Sequence, residues 1–188
     1  MIELIEFLSG TSGIIFNHVS HPKRDYTCDV IKYSNTSNAH KNNIIACYKE
    51  LAVNQKKRVI GMICSRQLLN EVYEMLIKND IKCIKYTGDD ASVIEGQSMN
   101  KIKADHLKDV NTHFANYQCV LYTASISAGI SFEVDHFDTS VNVFIDSSDS
   151  CDIATFVQGI HRCRQLRDRH ITCFIESKHH SQLVSPYE

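Results

Sequence analysis

The chain has 188 residues, 43% hydrophobic and 22% charged, ordinary values for a folded domain that exclude a disordered or membrane class. The length suits one α/β domain with a real core and an N-terminal extension, not two full domains. A formal net charge of −2 excludes a uniformly basic nucleic-acid binder, although a local basic groove remains compatible with it. Residues 1–23 read as an extension or linker, broken early by "GTSG" at 10–13. "YTCDVIKY" (26–33) alternates like a strand, and "NAHKNNIIACYKELAVNQ" (38–55) spaces Ile44, Ile45, Tyr48, Leu51 and Ala52 as a helix does. "RVIGMICS" (58–65) reads as a buried strand, followed by an amphipathic helix over 66–80. Then come a strand and turn over 81–90, a weaker helix over 98–114 and a strand over 117–125. A strand over 140–148, a helix over 152–165 and a closing strand over 170–177 complete the pattern, so the domain is expected over 24–180, with 181–188 as a tail. Short apolar strands alternating with helices predict an α/β fold, a parallel sheet covered by helices on both faces.

No apolar run approaches the roughly 18 residues of a membrane helix. "MIELIEF" is acidic where a secretory signal carries Lys or Arg, so an intracellular address, nucleus or cytoplasm, is expected, with no membrane partner. None of the eight cysteines sits in a C-x-x-C pair, and Cys64, Cys83, Cys119 and Cys173 lie in apolar strand-like runs. They read as small core residues of a reduced protein. Cys151 with His161 and Cys163 fits no zinc spacing and His179-His180 lies near the end, so no metal site is expected.

In an open parallel sheet ligands sit at the carboxyl ends of the strands. The candidates there are Ser65 and Arg66 after the first core strand, Thr87 and Gly88 after the second, and "TASISAGISFE" (123–133) after the third. Ser65 also suits a helix N-cap and Thr87-Gly88 a plain turn. From Thr123 to Phe132 small residues leave the backbone nearly bare, which suits close approach to a phosphate or a tight turn needing Gly129. A fourth candidate, "QGIHRCR" (158–164), lies on the last helix. Arginines at a helix C-terminus complement its dipole, which explains one or two of them but not Gln158 together with Arg162 and Arg164.

The order of these pieces, a strand ending in Ser and a helix, then "YTG", "TASISAGISF" and "QGIHRCR", resembles motifs IV, V and VI of the second RecA-like lobe of superfamily 2 helicases, over roughly residues 58–176. The shortened Q-x-x-x-R-x-R together with "AGISF" looks most like the origin-binding and replication helicases of large DNA viruses, which implies a virus-infected host cell. The resemblance implies a RecA-like fold and strand-backbone contacts from Thr123, Ser125, Ser65, Thr87 and Gly88. It also implies a link from motif V to the ATP site, matched at Thr123 and Gly129, and an interlobe ATP network containing Gln158. Arg162 falls in register as an arginine-finger candidate and Arg164 stands one position early. His161 replaces the family's Gly, which leaves the choice of finger open. A γ-phosphoryl group in transfer gathers charge that a guanidinium from a second lobe stabilises when the cleft closes.

Neither a G-x-x-x-x-G-K-[ST] nor a Walker B-like acidic motif occurs, and Asp89-Asp90 does not supply one. The expected partners are therefore an N-terminal RecA-like lobe of the same polypeptide, holding most of the ATP and Mg2+, and single-stranded nucleic acid, DNA ahead of RNA. Isolated, the chain is not expected to hydrolyse ATP. Alternatives are a non-catalytic RecA-like module that binds nucleic acid or protein, and a cysteine-dependent phosphatase. The phosphatase reading rests on Cys163 and Arg169 at C-x5-R spacing, and the absence of Gly between them together with a position late in a helix speaks against it.

Overall fold

In the computed structural model the described residues are 26–33, 38–88, 93–94, 97–126, 130–145 and 151–176. The extension 1–23, the tail 181–188, Gly129, Asp89-Asp90 and His179-His180 lie outside them.

The elements in chain order are β1 (Thr27–Tyr33), α1 (Asn38–Tyr48) with a π-helical segment Lys49–Asn54, β2 (Val59–Met62), α2 (Arg66–Lys78) and β3 (Cys83–Tyr86). They continue with β4 (Val93–Ile94), β5 (Gln97–Ser98), α3 (Met99–His106), α4 (Val110–Phe114), β6 (Cys119–Tyr122), β7 (Thr139–Ile145), α5 (Ile153–Ile160) and β8 (His170–Glu176). Six strands form one sheet in the order β1-β8-β7-β2-β6-β3, with every pairing parallel. β4 and β5 form a separate antiparallel pair that the periodicity does not announce. The segment 26–54 belongs to the same fold: β1 is the edge strand beside β8 over its whole length, and Ile44 and Tyr48 join its core.

Both faces of the sheet are covered, as expected for a parallel sheet whose strands carry apolar residues on each side. On one face Ile44 and Tyr48 of α1 and Leu68, Leu69, Val72 and Leu76 of α2 pack on Val59, Leu121, Val141 and Phe174. On the other, Val110 and Phe114 of α4 and Phe156 and Ile160 of α5 pack with Met62, Tyr86, Tyr122, Phe132 and Phe137. Each of these large side chains contributes about 1.5–3 kcal/mol on burial.

Between β2 and β7 the ladder opens without losing register, pairing at Val59–Thr139 and Ile60–Ser140 and again at Ile63–Val143. Side chains fill the gap. The Tyr48 hydroxyl donates to the Val141 carbonyl at 2.6 Å, and the Met62 N–H donates to Asn142 Oδ1 at 3.0 Å. Gly61 makes room for this, since a Cβ there would stand 2.0 Å from the Tyr48 hydroxyl.

Three expected helices end differently. The one over 38–55 is α-helical to Tyr48 and then π-helical, and Gln118 Nε2 caps its end by donating to the Ala52 and Lys57 carbonyls. The one over 98–114 divides at 107–109, where the Asp109 carboxylate accepts the Thr112 N–H at 3.1 Å and starts a new helix. The one over 152–165 stops at Ile160, because residues 162–164 leave the helix to pair with another strand segment.

Candidate strand-phosphate and nucleotide interface

At the carboxyl edge, Met62, Tyr122 and Tyr86 lie side by side in β2, β6 and β3. The residues that follow them are therefore level. The Thr123 N–H donates to the Tyr86 carbonyl at 3.0 Å, and the Ile63 N–H to the Tyr122 carbonyl at 2.9 Å. Past β6 the chain turns on its own hydroxyls: Thr123 Oγ1 donates to Ser125 Oγ at 3.0 Å, and the Ser125 and Ile126 N–H groups return to Thr123. Among the described residues the Ser125 hydroxyl proton has no acceptor, so this turn presents a neutral donor suited to a phosphate oxygen.

The other edge residues are more structural. Ser65 caps α2, its Oγ accepting the Leu68 N–H at 3.3 Å. Thr87 is buried, and its carbonyl accepts from Lys103 Nζ at 2.9 Å, a lysine of α3 that strand spacing gives no reason to single out. At Gly88 a Cβ would meet nothing within 4 Å, so space does not demand glycine there.

The second group surrounds the end of α5. Asp152 caps this helix by accepting the Thr155 N–H at 2.7 Å, and these bonds hold its carboxyl below the ordinary aspartate value. Two turns later the helix lies against β2 so closely that a Cβ on Gly159 would stand 2.0 Å from Met62 Sδ. The Tyr122 hydroxyl donates to the Gly159 carbonyl at 2.9 Å, and burial raises its pKa, so it stays a neutral donor. This glycine is not singled out from the sequence, although its cost inside a helix is the signal that points to it.

After Ile160 the chain forms a parallel bridge with the segment that follows Gly129. The Phe132 N–H donates to the Arg162 carbonyl and the Arg164 N–H to the Phe132 carbonyl, both at 2.8 Å, and Cys163 faces Phe132. Arg162 Nη1 donates to the Ile130 carbonyl at 3.1 Å, while its Nε is buried without a partner. Arg164 is half exposed, its Nε 3.7 Å from Glu133 Oε1. Gln158 is exposed on α5 and His161 half-buried beside it. Thus Arg162 and Arg164 are joined to the segment after β6, whereas among the described residues no hydrogen bond links them to Thr123, Ser125, Ser65 or Thr87.

Cys163 is not late in a helix but beyond its end, and the change does not favour a phosphatase. The thiol is buried, its Sγ donates to the Gln165 carbonyl at 3.4 Å, and no helix starts between Cys163 and Arg169 to aim amides at an anion. Cys64 likewise departs from the core reading: it is half-buried, with its Sγ 3.2 Å from that of Cys151.

The model of a family described as "Origin of replication binding protein" matches residues 99–186. The "Uncharacterized putative helicase R8" of Acanthamoeba polyphaga mimivirus is 27% identical over 124 residues, 66% of this chain and 11% of that protein. The "Putative helicase/primase complex protein" of African swine fever virus is 29% identical over 76 residues, 40% of this chain and 7% of that protein. The chain thus spans about a tenth or less of the length of these relatives. In fold it is similar to the C-terminal domain of the DEAD-box protein Dbp5, with a TM-score of 0.52 at 13% identity, covering 80% of this chain and 76% of that one. Domain 2 of the Mss116p DEAD-box helicase, in a structure bound to an RNA duplex, gives a TM-score of 0.52 at 14% identity, covering 80% of this chain and 54% of that one. The chain has the RecA-like α/β fold of helicase C-terminal domains, and in sequence it is similar to putative helicases of large DNA viruses and to an origin-binding family.

Proposed function

We propose that this chain is the C-terminal motor lobe of an ATP-dependent superfamily 2 nucleic-acid helicase acting in viral DNA replication in an infected host cell. It supplies the arginine finger, with Arg162 and Arg164 as candidates, to ATP held by an N-terminal RecA-like lobe and part of the surface that grips a single strand, DNA ahead of RNA. The observation that carries this reading is the pairing of 130–132 with 162–164, which fastens the segment leaving the strand-contact turn to both arginines. Movement of one is then communicated to the other through a shared piece of backbone.

The residues fit a triphosphate. Arg162 keeps a buried Nε without a partner, Arg164 is half exposed with its Nε 3.7 Å from Glu133 Oε1, and Gln158 is exposed, giving cationic and amide donors. Bound ATP would bring the reactive γ-phosphoryl group; the lobe's own part is to place guanidinium donors against its charge and exclude water as the lobes close. In this reading Mg2+ is held mainly by the first lobe.

The test is strand-stimulated ATP hydrolysis by the full-length polypeptide. Arg164→Ala is expected to lower kcat by about 10³-fold or more with an unchanged melting temperature. Arg162→Ala is expected to lower kcat similarly and also the melting temperature, through loss of the Ile130 bond. Full turnover in both variants sinks the finger assignment. Strand binding by a full-length protein that never hydrolyses ATP would favour the non-catalytic module.

A further inference from the structure

Cys64 and Cys151 are 87 residues apart in sequence, yet their Sγ atoms stand 3.2 Å apart, and both residues are half-buried. Their settings match. Cys64 immediately precedes Ser65, the N-cap of the 13-residue helix α2, and Cys151 immediately precedes Asp152, the N-cap of the 8-residue α5. Two helix N-termini, each the positive end of its dipole, thus converge on one pair of sulfurs. Partial exposure of both residues admits a small oxidant. The two thiols already point at each other, so closing to a disulfide bond of about 2.05 Å needs a shift of about 1 Å.

We propose that Cys64 and Cys151 form a redox-responsive pair, oxidised by hydroperoxide to a disulfide that clamps the start of α5 to the end of β2. The Cys64 thiolate, flanked by the neutral Ser65, attacks the peroxide oxygen. The O–O bond breaks, water leaves after proton uptake, and Cys64 becomes a sulfenic acid. The Cys151 thiol then attacks that sulfur and displaces a second water. In sum, two thiols lose two hydrogens and one peroxide becomes two waters. A thiol reductant reverses the step. Cys151 leads into the helix that carries Gln158 and ends just before Arg162, so the clamp fixes the element that presents them. It does not depend on the motor reading, because its chemistry is read on the chain itself.

The experiment treats the reduced chain with hydrogen peroxide, blocks remaining thiols by alkylation, and maps the peptides by mass with and without reductant. A peptide pair joined through Cys64 and Cys151 is expected, together with a rise in melting temperature that reductant abolishes. C151S is expected to lose the cross-link and the rise, and to accumulate a sulfenic acid on Cys64 that a dimedone probe captures. C64S should lose the cross-link, and reduced C47S should behave as the parent. Should one serine variant fail to fold, the other reads the same question. Cross-links confined to other cysteines, or both thiols left open to alkylation after peroxide, would overturn the proposal. ATPase activity in the full-length protein is a separate readout: an intact cross-link with no effect on turnover counts against the motor reading or the coupling, not against the disulfide.

Discussion

Gly159 shows how much a single missing methyl group does here. Its absence lets α5 lie against β2 with Met62 Sδ where a Cβ would be, and leaves its carbonyl within reach of the Tyr122 hydroxyl. Alanine would favour the helix by about 1 kcal/mol. Against that, Met62 is 1% exposed, so its thioether must repack inside the core, and overpacking of this kind costs about 1–3 kcal/mol. The clash is the larger effect, so Gly159→Ala is expected to lower the melting temperature, and the double variant with Met62→Ala should be less destabilised than the sum of the two single variants. A double variant as unstable as the sum of the two singles would show that Met62 is not what the new methyl meets.

The helices that follow their sequence pattern do so for local reasons, and those that depart from it do so for distant ones. The apolar face of α2, with Leu68, Leu69, Val72 and Leu76, is written into its spacing, and its Ser65 cap stands directly ahead of it. By contrast, α5 ends at Ile160 because Phe132, far back in the chain, takes the backbone of residues 162 and 164 into a strand pair. The tether from Arg162 to Ile130 spans 32 residues and leaves no trace in either segment alone. Strand-end candidates such as Thr123 and Ser125 were legible because a parallel sheet dictates where its ligands sit. The pairing of the arginine segment with 130–132 was not, because it depends on where α5 stops. At the start of α5 the Asp152 cap makes a pH dependence. Its folded pKa lies below the ordinary 3.8, so its stabilisation is fully present above that value and is lost as pH falls through the lower, folded one. Replacing it by Asn keeps a cap without a titrating group. The fall of melting temperature between about pH 5 and 2 should therefore be shallower in Asp152→Asn than in the parent. Equal slopes would mean the carboxylate's bonds to Thr155 do not persist in solution.

Across the whole molecule the charge is nearly balanced, at −2, so any grip on a strand comes from placement and not from a general positive field. The carboxyl edge offers mostly neutral donors, the Ser125 hydroxyl among them, which position a phosphate but release no counterion. Two cations adjoin that edge in the chain and in space: Arg66, next to the Ser65 cap, and Lys103, held on the Thr87 carbonyl. If both neutralise phosphates of a single strand, log affinity falls against log salt with a slope of about −1.4, twice the single-strand factor of 0.7. A fourfold rise, from about 50 to 200 mM, then weakens binding roughly sevenfold. Fluorescence anisotropy of a labelled oligonucleotide measures this on the chain as it stands. Lys103→Ala should reduce the slope by about 0.7, whereas Arg164→Ala, remote from the edge in hydrogen bonding, should leave it alone. A slope twice as steep that Arg164→Ala lowers would place the strand over the arginine segment, and the guanidiniums assigned here to ATP would be holding nucleic acid instead.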